Sequence, residues 1–515
     1  MESTTAARAV APDGESFAIP PREEIEATAA AIVLQARAAG RPIVVVQGLG
    51  FVGAAVSAVV SNAVDERGAP RYFVIGTDLA DPAGYWKIGK VEAGASPFSS
   101  PDPELERMIG KAAREHRNLR ATASTSVYAL ADVVIVNVPL DVEDRTNTDR
   151  AAIGVRMGHF EVAMRSIGRV MREDALVIVE TTVPIGTTRK VVQRILEEER
   201  AARGITTPAL VAHSYERVMP GPRYIDSIRK FWRTFAGVDE RSSAKARAFL
   251  STIIDTAAFP LYELGDPTAS ELGKVLENSY RAANIAFIHE WSLAAEQLGV
   301  NLFEVVESVR VRKGTHDNLR YPGFGVGGYC LTKDSLLAQW SIGAMFGANV
   351  ELGVTLRALD INYHMPLHTL GLARQLCGGS LAGKRVVACG VSYLADMPDT
   401  RSSPTELFLD ALAKEGGVGV AHDPSVKWWP ERPDIAVHQD LAACLAGADV
   451  LVLAVPHRAY VGMSAADWHA LLPAGAVIVD AQNLLSDAKA AELHASGHRL
   501  LGVGKGHWKT KGYHQ

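Results

Sequence analysis

Short apolar runs rich in β-branched residues recur along this sequence, and stretches of helical periodicity separate them. The first set is Ile43–Val46, Tyr72–Ile75, Val133–Val136, Leu176–Val179 and Leu210–Ala212. Each is too brief for a helix. Strands that form unbroken apolar runs are covered on both faces, which is the condition of a parallel sheet between helical layers. A second set follows Lys384: Val386–Cys389, Val418–Ala421, Ile435–Val437, Val450–Val455 and Val477–Val479. Between the two sets lies a long helical stretch that Asp266-Pro267-Thr268 can cap and Gly299 can end, with Leu272, Leu276, Ala283 and Phe287 along it. A helix that long more often connects domains or forms an oligomer interface than sits inside one compact domain. The expected class is therefore α/β: two doubly wound lobes joined by a central helical domain. Ahead of the first strand, residues 1–20 are Ala, Pro, Ser and charge and are expected to be loose, whereas Pro21 to Gly40 predicts one helix, with Glu23 and Glu24 near its start.

Gly48-Leu49-Gly50-Phe51-Val52-Gly53 directly follows the first strand. In such a turn the first glycine allows the tight bend, the second lets the backbone approach a pyrophosphate, and the third packs the helix close to the strand. The following helix then points its N-terminus at the phosphates. The next strand ends in Gly76-Thr77-Asp78, where a carboxylate can bind ribose hydroxyls and repel a 2′-phosphate. A Rossmann-like dinucleotide site that takes NAD and not NADP is the expectation, with Gly48, Gly50, Phe51, Val52, Gly53 and Asp78 forming it.

A second glycine-rich segment, Gly325-Val326-Gly327-Gly328-Tyr329-Cys330-Leu331-Thr332-Lys333-Asp334, carries a cysteine among small residues, where a substrate carbon can reach it. A cation such as Lys333 nearby favours the thiolate. The other cysteines, Cys377, Cys389 and Cys444, have no metal-ligand spacing, so neither a metal site nor a disulfide framework is expected. Lys274 and Asn278 share one helix face at i, i+4; spacing alone favours a solvated polar stripe. Two further segments fall at strand ends, where open α/β sheets place ligands: Glu180-Thr181-Thr182-Val183-Pro184-Ile185-Gly186-Thr187-Thr188 and Ser214-Tyr215-Glu216-Arg217.

The formal net charge of −5 argues against a nucleic-acid or membrane partner, which would want a basic surface. No apolar run is long enough for a membrane span, and Glu2, Asp13 and Glu15 with no apolar core do not make a secretory signal. A cytoplasmic enzyme is expected.

In this order, the segments resemble the UDP-glucose/GDP-mannose dehydrogenase family. The resemblance runs from about Ile43 to Gly506 and includes Ala131-Asp132-Val133 through Val138-Pro139 and Asp399-Thr400-Arg401-Ser402-Ser403-Pro404. It implies an NAD-binding domain over residues 41–240 after an N-terminal extension, a central helical dimerisation domain over 241–375, and a nucleotide-sugar-binding domain over 376–515. It implies a homodimer or higher even oligomer, and four-electron oxidation of a sugar C6 alcohol, of a UDP-hexose or UDP-N-acetylhexosamine, to the uronate. Cys330 would be the nucleophile, Lys274 would stabilise the oxyanion with Asn278, and Asp334 would act as base or water-orienting carboxylate. Glu216 and Thr182 would serve hydrolysis. Pro139, Thr182, Lys333 and Arg401 would lie at the cofactor, and Arg217, Tyr321, Gly325 and Gly327 would join Glu216, Lys274 and Asn278 at the substrate.

The chain departs from the family in places. Tyr393-Leu394 stands where the family has an aromatic residue and a substrate-side lysine, and Asp480-Ala481-Gln482-Asn483 stands where it has Asp-x-Arg-Asn. Arg312 and Arg320 are offset from an arginine that members supply across the dimer, and Tyr329 replaces Ser or His. Pro322 to Gly328 matches the UDP-N-acetylhexosamine branch, whereas Lys333-Asp334 matches the UDP-glucose and GDP-mannose branches. Two other readings stay open: a two-electron hydroxy-acid-type dehydrogenase, which leaves Cys330 and the second lobe without a role, and a nucleotide-sugar-binding pseudoenzyme.

Overall fold

The computed structural model describes residues 7–145, 149, 153–218 and 221–515. Contacts divide them into two compact units: residues up to Val275 with Leu336–Val350, and Leu276–Ser335 with Glu351–Gln515.

The first unit is built on an eight-stranded sheet. In spatial order its strands are Tyr262–Glu263, Thr234–Gly237, Leu210–His213, Leu176–Val179, Val133–Val136, Ile43–Gln47, Phe73–Thr77 and Leu119–Thr122. All neighbours are parallel except Leu210–His213 with Thr234–Gly237. Ile43–Gln47 and Phe73–Thr77 are buried throughout, as unbroken apolar strands must be, with apolar clusters on both faces of the sheet. The strand order reverses between Ile43–Gln47 and Val133–Val136, the kind of switch point at whose C-terminal strand ends open α/β sheets bind their ligands.

The second unit repeats the plan with six parallel strands: Val437–His438, Val418–His422, Arg385–Cys389, Val450–Leu453, Val477–Asp480 and Leu500–Gly502. Helices Leu302–Arg310 and Gly353–Leu376 precede this sheet in sequence. The fold is α/β with two Rossmann-like sheets and intervening helices.

The long helix runs Pro267–Leu298. Asp266 accepts the Thr268 N–H at 2.8 Å as its cap, and Gly299 stops it with φ of 71°. The predicted first helix spans Arg22–Ala39 and ends at Gly40, whose φ is 61°.

One expectation is corrected. Residues 1–6 lie outside the described residues, but the segment after them is not loose: Arg8–Val10 pairs antiparallel with Ser16–Ala18. Two acids in this stretch, Asp13 and Glu15, are ion-paired to Lys90. The strands Leu119–Thr122, Thr234–Gly237 and Leu500–Gly502 are additions to the predicted set.

Candidate active site

The predicted site residues fall into two groups, one in each unit.

In the first unit the glycine turn has the geometry a dinucleotide needs. Gly48 has φ of 90°, and an added Cβ would lie 2.9 Å from the Asn137 carbonyl oxygen, so a side chain is excluded twice over. A Cβ on Gly53 would stand 1.7 Å from the Gly48 oxygen, which forces the close strand–helix packing. A Cβ on Gly50 would meet nothing within 4 Å: the turn is open on that side, where a pyrophosphate has room to approach the N-terminus of helix Phe51–Ser61. Asp78, just past its strand, accepts the Leu49 N–H at 2.8 Å and pairs with Lys87 at 3.2 Å through the same oxygen. The residues present fit NAD. Phe51 and Val52 are half-buried at the helix start, and Pro139 is exposed beyond Val133–Val136.

At the neighbouring strand ends the polar groups are buried and mutually engaged. The Lys274 ammonium donates to the Glu216 carbonyl oxygen at 2.9 Å and lies 3.7 Å from the Glu216 carboxylate and 5.5 Å from the Tyr215 ring centre. Lys274 is 7% exposed, so the solvated stripe that its spacing favours is not what forms. Arg217 donates to the Trp232 carbonyl at 2.7 Å and to the Tyr215 hydroxyl at 3.0 Å. Thr182 is buried on the loop after Leu176–Val179.

Three buried groups here escaped the sequence reading. Glu271, one turn before Lys274, accepts the N–H groups of Gly186 at 2.5 Å and Thr188 at 2.6 Å, tying the Thr182 loop to the helix that carries Lys274. Burial pushes its carboxyl up to about 7, against those bonds. His213 is held by Ser270 at 2.8 Å, and burial, then the Lys274 charge, pushes it down to about 3. Glu180 pairs with Arg233 at 2.8 Å and accepts from Asn137 at 2.9 Å; burial raises its pKa despite both partners. The only available signal was an acid in the quoted motif at a strand end and another three residues before Lys274.

In the second unit the predicted loop presents Cys330 at the surface. Its carbonyl accepts the N–H groups of Lys333 and Asp334, at 3.2 and 3.0 Å, which tightens the chain into helix Asp334–Phe346. Asp334 is fully buried; one oxygen accepts the Asn278 amide at 2.6 Å and the other the Lys333 ammonium at 2.8 Å. Lys333 is itself buried, 4.5 Å from the Tyr329 ring centre, so its charge is committed to Asp334. The glycines are required: a Cβ on Gly327 would stand 2.6 Å from Tyr393 Cβ, and one on Gly328 2.8 Å from the Tyr393 ring, while Gly325 adopts φ of 141°. Arg401 is clamped on Asp399 at 2.5 Å and lies 5.5 Å from the Tyr329 ring centre. Arg281 and Arg401 both stand within electrostatic reach of Cys330, as does Tyr393. Neither Arg281 nor Tyr393 was singled out as a neighbour of Cys330, because the first has only helical spacing and the second is distant in sequence. Tyr321 is exposed, stacked on Phe303, and bonded to Glu307 and Arg310.

Models of the UDP-glucose/GDP-mannose dehydrogenase family match three successive segments: the NAD binding domain over residues 42–254, the central domain over 268–362 and the UDP binding domain over 387–487. A UDP-N-acetyl-D-mannosamine dehydrogenase of Pyrococcus horikoshii is 27% identical, over 90% of this chain and 99% of the relative. An NDP-N-acetyl-D-galactosaminuronic acid dehydrogenase of Ralstonia nicotianae is 27% identical, over 81% of this chain and 90% of its own. The crystal structure of an NDP-N-acetyl-D-galactosaminuronic acid dehydrogenase from Methanosarcina mazei superposes with a TM-score of 0.75 at 26% identity, covering 93% of this chain and 98% of that one. No helix among the described residues is long and apolar enough to cross a membrane.

Proposed function

Because the chain belongs to the UDP-glucose/GDP-mannose dehydrogenase family and is an NAD-dependent oxidoreductase acting on nucleotide sugars, we propose that it oxidises the C6 alcohol of a UDP-N-acetylhexosamine to the uronate through a thioester on Cys330. The observation that carries the reading is an exposed thiol on a loop whose glycines, Gly327 and Gly328, have no room for a side chain, with Arg281 and Arg401 within electrostatic reach. The N-acetylhexosamine is supported by the Pro322 to Gly328 segment and by the activities named for the relatives.

NAD, when bound, accepts one hydride in each of two oxidations. The first, with loss of the hydroxyl proton, leaves an aldehyde at C6. The Cys330 thiolate adds to that carbon, and the new carbon–sulfur bond holds the reactive species as a thiohemiacetal. Loss of a second hydride and the hydroxyl proton gives the thioester. Water then adds, the carbon–sulfur bond breaks to return the Cys330 thiolate, and the carboxylate forms as both protons of the water pass to solvent. Negative charge builds on the C6 oxygen at each stage, and the Lys274 ammonium is the group to stabilise it. A fixed charge in a dry site costs no reorganisation at the moment of reaction. Asn278 and Lys333 hold both oxygens of Asp334, which fixes the carboxylate at the start of the helix that follows the Cys330 loop; orienting the hydrolytic water is the role it would take. Glu216 and Thr182 assist that step, and Arg217, Tyr321, Gly325 and Gly327 contribute to the nucleotide-sugar surface. Pro139, Lys333 and Arg401 keep the cofactor-side role that the family resemblance implies for them.

We further assign residues 41–240, 241–375 and 376–515 to the cofactor, central and nucleotide-sugar domains. A homodimer is supported by the long helix. Its Leu276, Tyr280, Phe287 and Trp291 share one face and are 61%, 56%, 53% and 51% exposed, an apolar stripe that a soluble monomer rarely shows.

The test is a panel of nucleotide sugars followed by NADH absorbance and product mass spectrometry. Two NADH per sugar and a uronate product are expected. One NADH per substrate with a carbonyl product would replace this reading with the two-electron one, and no NADH from any sugar would leave a binding protein.

A further inference from the structure

The N-terminal extension precedes the segment that the family matches and has no part in the chemistry above. Its contacts nevertheless lead to the cofactor turn. The carboxylates of Asp13 and Glu15 reach the Lys90 ammonium at 2.5 and 2.6 Å. Lys90 lies on helix Tyr85–Glu92 with its side chain only 9% exposed, so the hairpin supplies the counter-charges of a nearly buried cation. Beside it, Phe17 is pressed onto Gly89, where an added Cβ would fall 2.2 Å from the ring. One turn earlier on the same helix, Lys87 pairs with Asp78 at 3.2 Å, and the same Asp78 oxygen accepts the Leu49 N–H of the glycine turn at 2.8 Å. Every link from hairpin to glycine turn is thus a direct contact or a single helical turn.

The rest of the attachment is not a filled core. A cavity of about 360 Å³ lies between extension and lobe, lined by Phe17, Ile25, Tyr85, Ile88 and Thr122 among others. Ile88 and Val91 seat the helix in the core of the lobe and Glu92 pairs with Arg120 at 2.8 Å, while the side that faces the extension is held by the Lys90 ion pairs and the Phe17–Gly89 contact.

We propose that the N-terminal hairpin is a positioning element for the adenosine-ribose end of the NAD site: it pins helix Tyr85–Glu92, and Lys87 of that helix holds the Asp78 carboxylate in place. A carboxylate reading a ribose diol has to keep its oxygens within a few tenths of an ångström of hydrogen-bonding geometry. Asp78 has one oxygen committed to Leu49 and Lys87 and the other to the Leu79 N–H at 2.9 Å, so its orientation is set by these partners. Freeing the helix withdraws Lys87, and the carboxylate loses one of its three restraints.

The experiment titrates NADH fluorescence into the full-length chain without sugar, so the outcome does not depend on the C6 oxidation proposed above. Three proteins are compared with wild type: the double variant Asp13→Asn/Glu15→Gln, the single variant Lys87→Met, and the two combined. Removing Asp13 and Glu15 leaves the nearly buried Lys90 without its counter-charges, so the melting temperature is measured on every variant, and Phe17→Ala releases the hairpin independently with those ion pairs intact. We expect NADH to bind about fivefold more weakly in both the hairpin and the Lys87 variants. The combined protein should be no worse than the weaker of the two. A hairpin that only adds stability would lower the melting temperature and leave the NADH Kd within twofold of wild type, and that result overturns the proposal. Fully additive losses overturn it as well.

Discussion

Replacing Cys330 by serine separates chemistry from structure more cleanly than any other substitution in this chain. The residue is exposed, and its two backbone hydrogen bonds, from Lys333 and Asp334, run to the carbonyl oxygen and do not involve the side chain. Surface substitutions of this kind stay within about 0.5 kcal/mol, which for a chain this large is a melting shift on the order of 1–2 °C. The glycine turn, Asp78 and the C-terminal lobe are untouched, so NAD and nucleotide sugar should bind as before. A hydroxyl, however, is a far poorer nucleophile and leaving group than a thiolate. Turnover should fall by on the order of 10³ or more, equivalent to about 4 kcal/mol of lost transition-state stabilisation. The assay measures kcat by NADH absorbance and the melting temperature on the same preparation, with mass spectrometry for a trapped adduct or a singly oxidised sugar. A folded variant with near wild-type kcat would end the thioester mechanism.

Three other outcomes are expected. Asp78→Ala should relax a preference for NAD over NADP that is at least tenfold in the parent, about 1.4 kcal/mol; comparable kinetics with both cofactors in the parent would remove this role. Light scattering at micromolar concentration should give twice the chain mass or a higher even multiple, and Phe287→Glu/Trp291→Glu should shift it toward the single chain; a wild-type monomer contradicts the interface. The third concerns pH. His213 is pushed down to about 3, so its contribution to stability is complete above pH 6.5 and is lost as pH falls toward 3. Glu271 is pushed up to about 7, so its contribution is complete below pH 4.5 and is lost as pH rises through 7. The two oppose each other between pH 4.5 and 6.5. Glu271→Gln should therefore make stability rise more steeply with pH in that window, by up to about 1.4 kcal/mol per unit, in urea unfolding; parallel profiles for variant and parent would refute the assignment.

What was legible in the sequence follows from which forces leave a local trace. Val133–Val136 and Leu176–Val179 are strands at the predicted bounds, because a strand covered on both faces must be apolar at every position. Leu119–Thr122 was missed because Arg120 interrupts it, and Arg120 is accommodated by pairing with Glu92 at 2.8 Å. The glycine turn and the cysteine loop were legible for a related reason. Where a Cβ would stand 1.7 Å from Gly48 or 2.6 Å from Tyr393, only glycine fits, and the constraint is written into the residue type. The N-terminal hairpin had no such trace. Asp13 and Glu15 look like solvated acids until Lys90, 75 residues beyond Glu15, is brought to them.

The polar residues show the limit most sharply. Lys274 and Asn278 have the same i, i+4 spacing whether they face water or a buried carboxylate, so spacing favoured the commoner outcome and only the folded environment reverses it. Glu271 sits three residues before Lys274 and is invisible for the same reason. Its partners are the Gly186 and Thr188 N–H groups, and a backbone donor has no identity in a sequence. Yet these hidden contacts fix the visible ones. Glu271 holds the Thr182 loop, Ser270 holds His213, and both lie within the turn of helix that presents Lys274 to Glu216. A motif names the residue that does chemistry because that residue type is irreplaceable. The groups that aim it are chosen by burial and distance, and they become identifiable only when the chain is folded.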